Sequence, residues 1–261
     1  MLKTWSYSRL VTFEQCPLRA KLQYVDRIPE PERHLPPGKT EHANDRGTRV
    51  HEAAELYVKG GVELVPELQC FQEEFLQLRD LYKEGRVSLE GEWGHARDWT
   101  PVAWMSDNVW LRLKLDAMVH VGEDHAVVID YKTGKRQGNE IKPTEQGQLY
   151  AAATQARYPE LKNITVEFWY TDLNEIVPAE YDHDDIVKLR ARFDARGTRL
   201  TDEDAFPAKP SIFNCKYCPY GSWGTGHCEK GVGGRADLWK LPSQQQRVGA
   251  PSAISHPGRN R

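Results

Sequence analysis

Residues 109–135 read VWLRLKLDAMVHVGEDHAVVIDYKTGK, and the period of this stretch decides the architecture. Val109, Leu111, Leu113, Leu115, Ala117, Val119 and Val121 make every second residue apolar, while Arg112, Lys114, Asp116 and His120 stand between them. A period of two belongs to a strand with one core face and one polar face. After Gly122, Glu123 and Asp124 the run His125–Lys132 is again strand-like, so the two runs form an expected hairpin. Asp130 and Lys132 are two apart and share a face, and pairing of the hairpin brings Asp116 to the same face. An aspartate at the end of a buried strand is costly unless something pairs with it. These three residues therefore read in one of two ways. One is a cross-strand salt bridge, which is worth little and needs no function. The other is a seat for a hard divalent cation such as Mg2+, which takes oxygen ligands and leaves room for phosphate and water. In the second reading the metal lowers the pKa of a bound water and neutralises phosphate, and Lys132 orients the water or holds the developing anion.

Upstream, Ser8–Val25 reads as a first helix with Ser8 as its N-cap. A loop rich in proline and charge follows, and its Gly38-Lys39-Thr40 invites a phosphate-loop reading. Arg33 stands where that motif needs its first glycine, and no apolar strand precedes it, so the reading is rejected. Val50, Ala53, Ala54, Tyr57 and Val58 fall at helical spacing, and Gly60 and Gly61 end that helix. A further helix is expected over about 67–84, along the stripe Leu68, Phe71, Phe75, Leu78 and Tyr82. Downstream of the hairpin come a helix at 145–156, a strand at 164–171, a helix at 183–196 and a cysteine-rich segment. This order predicts one α/β domain over 1–235 around a mixed sheet, followed by a disordered basic tail over 236–261.

The 261 residues suffice for a full core, and a mean hydropathy of −0.69 suits a soluble globular chain. No apolar run approaches the roughly 20 residues of a membrane span, and the N-terminus has no secretory h-region; a cytoplasmic protein with no membrane partner is expected. The net charge of −3 gives no global basic field, although a polyanion needs only a local basic groove. Five cysteines in such a chain point to metal or structural roles rather than to a disulfide framework.

His51 follows Gly47 by four residues, and imidazole ligates divalent metals, Mn2+ among them. Gln146 and Tyr150 lie on one face of the helix after the Lys132 turn. Taken in order, Gly47–His51 (GTRVH), Leu115–Met118 (LDAM), Ile129–Lys132 (IDYK) and Gln146–Tyr150 (QGQLY) resemble the RecB-like branch of the PD-(D/E)XK nucleases, which includes Cas4-type exonucleases. The resemblance runs over about residues 5–230. It implies a restriction-endonuclease-like core, a mixed central sheet flanked by helices. It further implies His51, Asp116, Asp130 and the Tyr131 carbonyl as ligands of Mg2+ or Mn2+, Lys132 as the catalytic lysine, and Gln146 and Tyr150 as the motif that supports the lysine and engages DNA. Asp130 stands where many relatives carry Glu.

Cys215, Cys218 and Cys228 have metal-ligand spacing and require a fourth ligand, for which Cys16, His227 and Cys70 are the candidates. Zinc accepts three thiolates with a histidine, or four thiolates, and an iron–sulfur cluster prefers four. The resemblance implies a 4Fe–4S cluster held by Cys16, Cys215, Cys218 and Cys228, joining the segments 5–28 and 210–230 as a structural clasp. The nine residues between Cys218 and Cys228 exceed the family spacing, so zinc stays as the alternative, with His227 as a spare ligand. Phe213, Tyr217, Tyr220 and Trp223 either pack around the cluster or stack on bases.

The implied activity is a metal-dependent deoxyribonuclease, an exonuclease on single-stranded DNA or DNA with free ends, in recombination, repair or phage DNA processing. Arg9, Arg19, Arg112, Lys114 and Lys135 are candidates to line the strand path. The alternatives are a non-cleaving nucleic-acid-binding subunit and an endonuclease of the same fold. The chain shows no helicase motor, so any unwinding falls to a helicase or recombination partner.

Overall fold

The computed structural model describes residues 1–134 and 141–240. Along the chain run α1 (Tyr7–Gln15), α2 (Pro17–Ala20), a π-helical turn (Lys21–Val25), β1 (Glu32–Arg33), α3 (Ala43–Val58), a 3-10 turn (Pro66–Phe71) and α4 (Gln72–Lys83). They are followed by β2 (Val87–His95), β3 (Pro101–Val102), β4 (Leu111–His120), β5 (His125–Lys132), α5 (Ile141–Arg157), β6 (Asn163–Tyr170), β7 (Glu175–Tyr181) and α6 (His183–Thr201). The chain continues through α7 (Ile212–Cys215) and a 3-10 turn (Ala236–Leu238) to β8 (Trp239–Lys240). No described helix is long and apolar enough to cross a membrane. The chain divides into two compact units, the first formed by Met1–Leu10 and Pro36–Glu203 and the second by Val11–Leu35 and Asp204–Arg261.

The first unit is built on a six-stranded sheet in the order β3-β2-β4-β5-β6-β7. Its pairs are antiparallel except β5 with β6, which run parallel and are joined by the crossover helix α5. β4 and β5 make the expected hairpin, paired from His120↔Ala126 to Ala117↔Ile129. The sequence reading had no strand over Val87–His95 or Glu175–Tyr181, yet both belong to the sheet. β2 carries Gly91 and Gly94 and mixes charge with aromatics, and β7 contains Pro178, so neither shows clean alternation.

The odd residues of the hairpin strands face α3 and α4. Ala117, Val119, Ile129 and Tyr131 pack with Val50, Ala54, Tyr57, Phe71, Phe75 and Leu78 in one buried cluster. α5 packs on β6 and on α6. Gly147 of α5 is the close point, because a Cβ there would lie 2.8 Å from the Phe168 ring and 3.2 Å from Val166.

In the second unit the single helix expected over 8–25 is broken. Cys16 is extended (φ −159°, ψ 105°) and Pro17 opens the next helix, since the residue before a proline is driven out of the α region. The cap also differs from expectation. Ser6, not Ser8, accepts from the Arg9 amide at 3.4 Å. The expected helix over 67–84 is a 3-10 turn followed by α4. Ala236–Lys240, expected to belong to the tail, form a turn and a strand, and β8 pairs with β1 as Arg33↔Trp239 and Glu32↔Lys240. Trp239 is buried with the Arg33 guanidinium 4.9 Å from its ring centroid. Residues 241–261 of the expected tail, and Lys135, lie outside the described residues.

Candidate active site

β5 delivers two polar side chains toward α5. Asp130 is 3% exposed, and its Oδ2 lies 2.5 Å from Lys132 Nζ. Lys132 Nζ donates to Gln146 Oε1 at 2.9 Å, Gln146 Nε2 donates to the Tyr150 hydroxyl at 2.6 Å, and that hydroxyl donates to Asp130 Oδ1 at 3.1 Å. The four side chains form a closed ring. Gln146 and Tyr150 reach it because they are one helical turn apart and because Gly147 between them lets α5 lie against β6. Lys132 Nζ also sits 5.7 Å from the centroid of Phe168, whose backbone is opposite Asp130 in the parallel register.

Asp116 occupies the other side of the same place. Hairpin pairing ends at Ala117↔Ile129, so the strands part where Asp116 and Asp130 would come opposite. There Asp116 Oδ2 accepts from the Tyr131 amide at 2.7 Å, and Asp116 Oδ1 lies 2.9 Å from His51 Nδ1. His51 stands on α3, with its ring edge-on to Tyr131 at 5.8 Å.

Burial pushes the Asp130 carboxyl up, the Lys132 ammonium pulls it back, and the charge of Asp116 raises it again, leaving it above the ordinary carboxylate value. Burial, with the charges of Asp130 and Asp116, drives the Tyr150 phenol well above its usual value, so it stays a donor. Burial opposes charge on His51, but the Asp116 hydrogen bond and the charges of Asp116 and Asp130 outweigh it and raise the imidazole. Asp130 Oδ2 is buried without a hydrogen bond of good geometry, so beyond the lysine contact it has lone pairs to spare for a cation.

Thus all six sequence-chosen side chains, His51, Asp116, Asp130, Lys132, Gln146 and Tyr150, meet in one place, with the Tyr131 backbone among them. Among the described residues, however, no group of three or more His, Cys, Asp or Glu side chains is set to hold a metal ion as it stands. Both Asp116 oxygens are engaged by His51 and Tyr131, and such contacts have to rearrange around a cation. Gly147 and Phe168 were not singled out from the sequence. A glycine inside a helical pattern was a legible signal for the first; the parallel register that seats Phe168 was not. Of the basic residues chosen for a strand path, Arg112 stacks on Trp104 at 5.3 Å and Lys114 pairs with Glu92 at 3.6 Å.

The family model of the PD-(D/E)XK nuclease superfamily matches residues 4–223, most of the chain. The chain belongs to the PD-(D/E)XK nuclease superfamily. No curated protein matches it in sequence. Solved structures similar to this PD-(D/E)XK protein include SSO0001, with 16% identity over 89% of each chain and a TM-score of 0.44. A putative exonuclease from Eubacterium rectale shares 11% identity over 79% of this chain and 84% of its own, with a TM-score of 0.45. An alkaline exonuclease from Laribacter hongkongensis shares 16% over 76% and 88%, with a TM-score of 0.29.

In the second unit Cys16, Cys215, Cys218 and Cys228 line one small cleft, partly open to solvent. The Lys209 amide donates to Cys16 Sγ at 3.4 Å. Burial raises the Cys218 thiol, and Cys228 and Cys16 add to the rise through their charge. His227 is exposed beside the Thr225 hydroxyl, 2.8 Å from its Nδ1, and is not part of the cleft lining. Cys70 belongs to the first unit, where its thiol faces the Thr171 carbonyl at 3.4 Å.

Proposed function

We propose that the protein is a Mg2+- or Mn2+-dependent deoxyribonuclease that degrades single-stranded DNA from an end. The observation that carries this reading is the closed ring of Asp130, Lys132, Gln146 and Tyr150 beside the His51–Asp116 pair. A plain surface salt bridge needs neither a part-buried glutamine–tyrosine relay nor a second carboxylate at the same point. His51, Asp116, Asp130 and the Tyr131 carbonyl would hold the cation, and the oxygen-rich donor set with one imidazole suits Mg2+ or Mn2+. When bound, such a cation lowers the pKa of a water and neutralises charge on the phosphate. The chain supplies the rest. Lys132 offers N–H donors to the attacking water or to the phosphate oxygens, and Gln146 fixes the direction of its ammonium. Tyr150 holds Asp130 at the angle its role requires, and the Phe168 ring supports the lysine head group from one side. DNA is the substrate in this reading, and a separate helicase or recombination partner provides unwinding where duplex must be opened.

In the second unit Cys16, Cys215, Cys218 and Cys228 line one cleft without being gathered as a ready metal site; in this reading they close around a 4Fe–4S cluster, for which four cysteines and no histidine in the cleft are the right donor type. Zinc on the same four thiolates is the alternative. The role is structural, tying residue 16 to residues beyond 200.

The test is digestion of single-stranded DNA labelled separately at each end, with Mg2+ or Mn2+, and with Asp130→Ala protein as control. End-dependent loss of label that vanishes in the variant is the expected result, and the label released first gives polarity. Internal cuts without end dependence would make it an endonuclease. Intact DNA bound but uncut with either metal would overturn the reading.

A further inference from the structure

The four aromatic residues around the cysteines divide into two pairs. Tyr220 is fully buried, its hydroxyl bonded to the Ile28 carbonyl at 3.2 Å, and Trp223 packs on Gly221, Gly231 and Gly234 with its indole N–H on the Cys218 carbonyl at 3.1 Å. Phe213 and Tyr217 are left at the surface. Phe213 is 92% exposed, Tyr217 is 49% exposed, and Ile212 beside them is 70% exposed.

Such exposure on a loose loop would mean nothing, but this turn is clamped. Ser211 Oγ accepts from the Asn214 amide at 3.0 Å, and Asn214 Nδ2 donates to the carbonyls of Gln15 and Lys209, both at 2.9 Å. Cys215, between the two aromatics, is buried in the thiol cleft. The backbone thus holds two rings four residues apart outward from a fixed base, at the cost of apolar surface left in water.

The surroundings say what covers them. Lys216 Nζ lies 5.2 Å from the Tyr217 ring centroid, Lys209 and Lys230 are exposed in the same unit, and Arg235, paired with Asp237, reaches the Tyr217 side chain. Between Asp204 and Lys240 the chain has five Lys and Arg against three Asp and Glu, although its net charge is −3. Exposed aromatic side chains with lysines beside them match unpaired nucleotides, whose bases stack while their phosphates pair. A protein partner for Ile212 and Phe213 would not require this local positive excess.

We infer that Phe213 and Tyr217 form a stacking platform for the bases of single-stranded nucleic acid, with Lys216 and its basic neighbours on the phosphates. This deepens the nuclease reading by giving the chain a second hold on its substrate, and it rests on that reading only for the identity of the polymer as DNA.

The test is binding of the full-length chain, with no divalent cation added so that no cleavage intervenes, to fluorescently labelled oligo(dT) and to a duplex of equal length. The double variant Phe213→Ala/Tyr217→Ala should bind oligo(dT) at least tenfold more weakly and bind duplex as before. Phe213→Trp should restore most of the loss, and Lys216→Ala should flatten the salt dependence. Both aromatics are on the surface, so the thermal unfolding midpoint should not move. Unchanged oligo(dT) affinity in the double variant overturns the platform, as does an oligomer of wild-type chains that the double variant abolishes. The two readings fail separately. Loss of cleavage in Asp130→Ala with no effect of the aromatic variant leaves the nuclease standing alone. Aromatic-dependent binding by a chain that never cleaves leaves the platform standing alone.

Discussion

The Tyr150 hydroxyl meets Asp130 Oδ1 at 3.1 Å in the interior, where both residues are at most 5% exposed. Tyr150 is the donor that fixes a carboxylate which burial alone would neutralise. Tyr150→Phe should therefore leave Asp130 short of a donor and cost about 1–2 kcal/mol of stability. It should also weaken Mn2+ binding. Denaturant unfolding together with calorimetric titration of Mn2+ reads both, and wild-type values in the two measurements would refute the role assigned to this hydroxyl.

Gly147 governs how near the ring-bearing helix comes to the sheet. Alanine there gains up to about 1 kcal/mol of helix propensity, but its Cβ would lie 2.8 Å from Phe168. Overpacking in a filled interior costs about 1–3 kcal/mol, so the clash wins. Gly147→Ala should lower stability modestly and cut cleavage severalfold by shifting Gln146 from Lys132. A more stable Gly147→Ala chain of full activity would contradict this.

The cysteine cleft makes a selective prediction. Serine at Cys16, Cys215, Cys218 or Cys228 should each abolish bound metal, whereas Cys70→Ser should change nothing, because its thiol lies in the other unit. Iron, sulfide and zinc analysis of anaerobically purified protein distinguishes the cluster from zinc. Full metal content in any one of the four serine variants would break the assigned set.

His95, in β2, is fully buried beside Trp99. Burial pushes its imidazole down to about 4, the charges of Arg157 and Arg190 add to this, and the Ala153 carbonyl only partly offsets it. On acidification the unfolded chain takes up this proton first, near the ordinary value of 6.5. Stability from this site is therefore complete above about 6.5 and is lost as the pH falls toward 4, by on the order of 3 kcal/mol. In a His95→Leu variant that component of the decline should vanish. Parallel stability profiles of the two proteins between pH 7 and pH 4 would rule it out.

The hairpin and the site side chains were legible because strand alternation and one helical turn are local rules. Asp130, Lys132, Gln146 and Tyr150 needed only those two periods to be placed on facing surfaces. The remainder depended on contacts remote in sequence. β2 was hidden because its glycines admit the Trp93 ring and the backbone of β3, which leaves no repeating pattern. β8 was hidden because two residues make a strand only when Glu32 and Arg33 are there to pair with them. The loss of hairpin pairing at Asp116, which turns that carboxylate toward His51 and the Tyr131 amide, also has no signature in the alternation that precedes it.

The second unit draws on both Val11–Leu35 and the chain beyond Asp204. A ribosome therefore finishes every strand of the six-stranded sheet before it emits Cys215, the first of the three late thiols. During that interval Cys16 has been made but none of the other three thiols of its cleft, and β1 has no β8. The cleft is complete only once Cys228, Lys230 and Gly231 have also been made. A chain interrupted shortly after Thr201 retains the residues of the sheet and of the acidic site, yet it lacks Cys215, Cys218 and Cys228, the other thiols of the cleft.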